Sequence, residues 1–116
     1  VWRHAARIVA ALGAVWAGGE GGVVSYSETM SREVAGKEIN VNVVCPGPTD
    51  TALFRDFAGE GEQGEKLKGA LAKAIPFGRL GQPDDLPGAV LFLASEDAAF
   101  ITGQIISVSG GLTMAG

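Results

Sequence analysis

The residues best equipped for chemistry in this sequence form one run, Pro46-Gly47-Pro48-Thr49-Asp50-Thr51. Pro46 and Pro48 lack an amide proton and have a fixed φ, so a β-ladder stops at them. Gly47 between them has no Cβ and lets another backbone or a ligand come close. Thr49, Asp50 and Thr51 then supply two hydroxyls and a carboxylate. Such a group of hydrogen-bonding side chains at the carboxyl end of a strand stands where open α/β sheets place their ligands. The plainer alternative is a proline-rich loop after any buried strand.

The strand that must carry this loop is residues 39–45. Ile39, Val41, Val43 and Cys45 alternate with Asn40, Asn42 and Val44, a β-branched pattern of period two. Upstream, Val23, Tyr26, Met30 and Val34 fall at steps of three and four and predict an amphipathic helix over 23–35, with Gly36 as its stop. Residues 5–14 fit a short helix or an irregular strand equally well. The run Ala17-Gly18-Gly19-Glu20-Gly21-Gly22 misses the G-x-G-x-x-G spacing because Val24 stands where the last glycine belongs, and it reads as a flexible turn.

Downstream, a short helix over 52–57 has Asp50 or Thr51 as its N-cap. Residues 59–64 read as a polar, glycine-punctuated break, and 65–74 as a helix with Lys66, Lys68 and Lys73 turned outward. Residues 75–86 form a connector, with Pro83 suited to the first helical position and Asp84 and Asp85 complementing the helix dipole. Ala89, Val90, Leu93 and Ala94 continue as an apolar face up to Ser95. Residues 104–109 read as the last strand. Roughly sixty residues with helices separate the two strands, a crossover that implies parallel pairing. Two parallel strands make a poor sheet, so at least one edge is expected to need another strand or subunit.

The sequence has 116 residues, 47% of them hydrophobic, and a formal net charge of −4. These values suit one folded domain and argue against nucleic acid and anionic membrane surfaces as partners. Cys45 is the only cysteine, so no internal disulfide forms and its expected role is a small buried hydrophobe in a reducing, cytoplasmic setting. No apolar run reaches the roughly 18 residues of a membrane span, and Val1-Trp2-Arg3-His4 lacks the plan of a secretory signal. A start at Val rather than Met suggests part of something longer.

The strand ending in Pro46-Gly47, with Thr51 five residues after the proline, resembles the late strand and loop of the short-chain dehydrogenase/reductase family. Further blocks carry the same resemblance: Ile75-Pro76-Phe77-Gly78-Arg79-Leu80-Gly81-Gln82-Pro83, Phe92-Leu93-Ala94-Ser95, Phe100-Ile101-Thr102-Gly103-Gln104 and Gly110-Gly111. It covers about residues 20–116 and looks closest to members acting on alicyclic hydroxyacyl-CoA or 3-oxoacyl-carrier substrates. The resemblance implies an α/β fold, the incomplete C-terminal part of a Rossmann-like doubly wound parallel sheet, over residues 21–116. It also implies an NAD(P)-dependent oxidoreductase that interconverts a secondary alcohol and a ketone, with NAD or NADP as cofactor. A small hydroxy or keto substrate, including acyl-CoA, and a homo-oligomer follow from the same source. Pro46, Gly47, Thr49 and Thr51 would hold the nicotinamide carboxamide, whose donors and acceptor lie in one plane and suit fixed backbone groups and a hydroxyl. Residues 52–74 would cover the substrate, with Arg55, Lys66 or Lys68 near a CoA phosphate or simply exposed.

Residues 1–20 depart from the family pattern. Its catalytic tyrosine lies four residues before its lysine, and the register places Trp16 and Glu20 there; the substrate-polarising serine would fall at Arg3. An indole is not an acid near neutral pH, and a carboxylate cannot act as the cation that lowers a phenol's pKa. Tyr26 offers no replacement, since Met30 follows it by four. Residues 1–20 are therefore expected to be an altered segment, from a changed reading frame in a once ordinary gene. Glu38 stands where the family often has glycine, and a positive φ there would be mildly strained. Ser109 stands where it often has aspartate. The competing reading is a catalytically inactive module that associates with other subunits.

Overall fold

A computed structural model of the chain describes residues 14–114, with side chains from Gly21 onward. The expectations for residues 5–13 and for Arg3 lie outside the described residues. In order, the elements are helix α1 (Ala14–Val34), strand β1 (Val43–Pro46), helices α2 (Ala52–Ala58), α3 (Glu62–Ala74) and α4 (Pro87–Leu93), and strand β2 (Ile105–Val108). Three short 3-10 turns intervene at Ala35–Lys37, Pro83–Asp85 and Glu96–Ala98.

Helix α1 corrects the reading of residues 17–22 as a turn, because its backbone is helical from Ala14 through all four glycines. Each glycine costs about 1 kcal/mol relative to alanine, yet extending a helix that already has its nucleus adds one hydrogen bond per residue fixed. From Gly21 onward its buried residues are Val24 and Ser31, and the Ser31 hydroxyl donates to the Glu28 carbonyl at 2.7 Å. Gly36 is not the stop. The helix ends at Val34, tightens into the 3-10 turn, and reverses at Glu38, which adopts the left-handed conformation at φ 58° and ψ 34°. Glu38 stands where the family often has glycine, and among the described residues it is the non-glycine residue at positive φ, the case in which mild strain was expected.

The strands pair in parallel, with Val43 opposite Ile105, Val44 opposite Ile106, Cys45 opposite Ser107 and Pro46 opposite Val108. The ladder is shorter than the alternation over 39–45 predicted, and the asparagines are the reason. Asn42 Nδ2 donates to the Ile101 carbonyl at 2.9 Å, while Asn42 Oδ1 accepts from the Gln104 amide at 3.0 Å. Asn40 Nδ2 reaches the carbonyls of Ala98 and Ala99, and the Val41 amide donates to Thr102 Oγ1. Side chains thus bond the stretch before β1 to the loop before β2, beside the backbone hydrogen bonds from the Gly103 amide to the Val41 carbonyl at 2.7 Å and from the Val43 amide to the Gln104 carbonyl at 2.8 Å. Among the described residues the sheet has these two strands only, so each keeps one open edge.

Two further boundaries shift. Helix α3 starts at Glu62 rather than 65, since Glu62 and Glu65 in its first turn complement the dipole and Lys66 pairs with Glu62 at 3.3 Å. The break is confined to residues 59–61. Helix α4 begins at Pro87, while Pro83 opens a separate 3-10 turn; two prolines four residues apart each take a first-turn position.

The apolar core is thin: Val24, Cys45, Ile75, Leu80 and Ala98 are its buried members among the described residues. Leu53, Phe57, Phe77, Leu91 and Phe100 stay exposed, as does Val90 of the face predicted for α4. No helix among the described residues is long and apolar enough to cross a membrane.

Candidate functional site

The 46–51 loop is held from both sides. The Gly47 amide donates to the Val108 carbonyl at 2.9 Å, adding a rung beyond the Pro46–Val108 pair. A Cβ at Gly47 would lie 2.8 Å from both Cα and Cβ of Ser109, so only glycine fits between the strand ends. Past Pro48 the chain forms an isolated parallel bridge, Thr49 to Gly81. The Asp50 amide donates to the Gly81 carbonyl and the Gly81 amide to the Pro48 carbonyl, both at 2.9 Å. Gly81, assigned to a connector by the sequence, is therefore a structural wall of the site.

In such a bridge the groups flanking Thr49 are consumed, and the amide and carbonyl of Thr49 itself face the opposite side. They make no backbone hydrogen bond among the described residues. The Thr49 hydroxyl donates back to the Gly47 carbonyl at 2.8 Å. Thr51, not Asp50, is the N-cap of α2: its Oγ1 accepts from the Phe54 amide at 3.1 Å. That leaves the Thr51 hydroxyl proton available to an acceptor outside the helix. Of the predicted residues, Gly47, Thr49 and Thr51 thus meet in one loop with unspent donors and an acceptor, and Pro46 ends the strand that carries them.

Asp50 points the other way, into α3. Its Oδ2 receives a hydrogen bond from Lys68 Nζ at 2.7 Å, while Arg55 Nε stands 3.5 Å from Oδ1. The Lys68 hydrogen bond holds the Asp50 carboxyl below its ordinary value against the opposing effect of burial, helped by the charges of Lys68 and Arg55. Lys68 therefore does not belong to the outward-facing set predicted with Lys66 and Lys73. All three cations considered for a phosphate already have acidic neighbours, Lys66 through Glu62 and the other two through Asp50.

A second ionic element braces the Gly81 wall. Arg79 donates to Asp85 from both terminal guanidinium nitrogens, at 2.7 and 2.9 Å, and the Gln82 amide donates to Asp85 Oδ2 at 2.6 Å. Asp85 does more than complement a dipole. The Arg79 hydrogen bond, then that from Gln82, lowers its carboxyl from 3.8 to about 2. The residue order Gln82-Pro83-Asp84-Asp85 carried this signal, an acid three residues after an N-cap position. Because the folded value is the lower one, the pair's contribution is complete above pH 3.8 and is lost as pH falls through about 2. A carboxyl-detected NMR titration is expected to place Asp85 at about 2, and Asp85→Asn is expected to flatten the acid limb of stability in that window.

A cavity of about 230 Å³ opens beside this wall, lined by Pro48, Phe77, Gly81, Val108 and Ser109 among others. Another, of about 340 Å³, separates α3 from residues 78–82. Helix α1 carries Trp16 and Glu20 one turn apart on its backbone; Tyr26 on the same helix is exposed. No group of three or more metal-ligating residues occurs among the described residues.

The model of one family, described as enoyl-(acyl carrier protein) reductase, matches residues 4–113. The 3-oxoacyl-[acyl-carrier-protein] reductase of Chlamydia trachomatis is 37% identical over 97 residues, covering 84% of this chain and 37% of that protein. A Xanthobacter autotrophicus protein named inactive 2-(S)-hydroxypropyl-CoM dehydrogenase 2 is 42% identical over 101 residues, covering 86% of this chain and 44% of its own length. Among solved structures, the ligand-free aldohexose dehydrogenase of Thermoplasma acidophilum superposes with a TM-score of 0.79 at 30% identity, covering 86% of this chain and 41% of that one. The chain thus spans less than half the length of the relatives it matches.

Proposed function

The chain belongs to the short-chain dehydrogenase/reductase family, and from that footing we propose that it supplies the carboxamide-binding and substrate-covering part of an NAD(P)-dependent oxidoreductase. The reaction class is interconversion of a secondary alcohol and a ketone, on a small hydroxy or keto substrate that includes acyl thioesters. The observation that carries this reading is the unspent amide and carbonyl of Thr49 beside the Thr51 hydroxyl, in a loop pinned through Gly47 and Gly81. A planar carboxamide offers one carbonyl acceptor and an NH2 donor, the complement of what that loop presents. When bound, the nicotinamide supplies the hydride. The protein's part is to orient the ring through Thr49 and Thr51, while α2 and α3 exclude water from one side. The open strand edges suit association with further subunits, and the cytoplasm is the setting this reading implies.

A second reading, a catalytically inactive interaction module, is favoured by positions 16 and 20. On the helical backbone of α1 they stand in the spacing of the family's tyrosine and lysine, yet hold Trp and Glu. Titration of NADH and NADPH into the isotopically labelled chain tests the cofactor site. The Thr49, Asp50 and Thr51 amides are expected to shift together. Thr51→Ala, which also costs the α2 cap about 0.5–2 kcal/mol, is expected to weaken the response about three- to tenfold, the worth of one hydrogen bond. Thr51→Ser keeps it. Equal binding by Thr51→Ala and the parent sinks the proposed role of that hydroxyl.

A further inference from the structure

Helix α3 is weakly attached to the rest of the chain. Gly64 is its buried residue, with Leu67, Lys68, Leu71 and Ala72 only half-buried. A groove of about 340 Å³, largely open to solvent, runs between it and residues 78–82, so α3 does not pack closely on that segment. Its link to α2 is Gly59–Gly61, with glycines at φ 84° and 76° that set the angle between the two helices. Where α3 meets the loop, the contact is ionic: Lys68 Nζ on Asp50 Oδ2 at 2.7 Å.

Asp50 is strongly committed to this contact. Its side chain is 18% exposed, and its Oδ1 is buried without a hydrogen-bond partner, with Arg55 Nε at 3.5 Å. Removal of Lys68 would leave a largely enclosed carboxylate short of donors, an arrangement that favours a shift of the backbone. That backbone lies between Thr49 and Thr51, and its amide is bonded to Gly81. A displacement of Asp50 therefore turns both threonines.

We infer that the Asp50–Lys68 ion pair is a tether through which ligand occupancy of the Thr49–Thr51 loop and docking of α3 control one another. The ligand half of this coupling rests on the carboxamide reading above. Coupling of this kind is reciprocal: a ligand that fixes the loop tightens the tether, and loss of the tether weakens the ligand. Lys68 and Asp50 are positioning residues here, acting through the loop.

Amide hydrogen exchange on the whole chain tests this. Lys68→Met retains most of the side chain's apolar stem and removes the charge. It is expected to speed exchange across Glu62–Ala74 about three- to tenfold, between the worth of an exposed pair and that of a charged hydrogen bond. The amides of β1 and β2 are expected to stay unchanged, and Lys68→Arg to stay slow. Raising salt from about 0.1 M to about 1 M, which shortens the Debye length from about 10 Å to about 3 Å, is expected to speed α3 exchange in the parent but not in Lys68→Met. The parent half of the salt arm needs no variant to fold, and α3 exchange in the parent that ignores salt also overturns the tether. Unaltered α3 exchange in Lys68→Met, or an equal salt response in both, overturns the tether. NADH is then expected to protect α3 in the parent and to lose that effect in Lys68→Met; loop shifts with α3 exchange unmoved overturn the coupling. If NADH leaves the loop untouched while Lys68→Met still frees α3, the carboxamide reading falls and takes the coupling with it, and the tether alone remains.

Discussion

Gly47→Val is expected to destabilise the chain by about 1–3 kcal/mol or more, the range for overpacking a filled site, and to part the carboxyl ends of the two strands. The clash is with main chain as well as side chain. A Cβ at this position would stand 2.8 Å from Ser109 Cα, and a backbone atom cannot rotate away as a side chain can. Ser109 is itself anchored, since its Oγ accepts from the Thr113 amide at 3.2 Å and joins the hydroxyls of Ser107 and Thr113. Relief must come from lengthening the hydrogen bond from the Gly47 amide to the Val108 carbonyl, now 2.9 Å. Urea unfolding with amide exchange at Gly47 is the measurement. A loss under about 0.5 kcal/mol, the scatter of ordinary surface changes, would show that the strand ends are free to move.

Ile75→Ala is expected to cost about 2–5 kcal/mol, the range for truncating a buried aliphatic side chain. Ile75 is 3% exposed and closes helix α3, its amide donating to Leu71 and its carbonyl accepting from Gly78. Its Cγ2 lies 2.8 Å from where a Cβ of Gly110 would stand, so the side chain is wedged against the turn that follows β2. With five buried apolar residues among those described, one truncation removes a large share of the core. Against a typical domain stability of about 5–15 kcal/mol, the shift in urea midpoint will be large. Ile75→Val, at about 0.5–1.5 kcal/mol, is the graded control; equal losses for both would mean that the Cδ1 methyl, which both variants lack, carries the effect and the Cγ2 wedge, which valine keeps, does not.

What the sequence revealed and what it hid divide along physical lines. The parallel pair was legible because the period-two alternation at 39–45 and the strand-like run at 104–109 were separated by a crossover too long for a hairpin. The limits of β1 were not, because hydropathy says nothing of Asn40 and Asn42 spending their amides on a loop distant in sequence. Residues 17–22 misled since glycine content scores against a helix locally, whereas an established helix extends through such a stretch at modest cost per residue. In the candidate site, residue type and spacing singled out the loop of Pro46, Gly47, Thr49 and Thr51, and the cofactor role expected of it came from the family resemblance. The wall at Gly81 could not, as an isolated bridge between loops leaves no periodic trace. Lys68 was misplaced for a related reason: a solvent-facing lysine and one aimed at a carboxylate 18 residues away have the same helical address.

The asparagine stitches and the parallel ladder share a temporal cost. Asn42 meets Gln104 only after 62 further residues have been made, so the strand that bears the candidate loop leaves the ribosome without its mate. During that interval Val43, Val44 and Cys45 present an unprotected β-edge, the kind of surface that recruits foreign strands. Closing so distant a contact is also slow by its topology. For this chain, yield in a cell will depend on what shelters β1 during synthesis as much as on the finished fold.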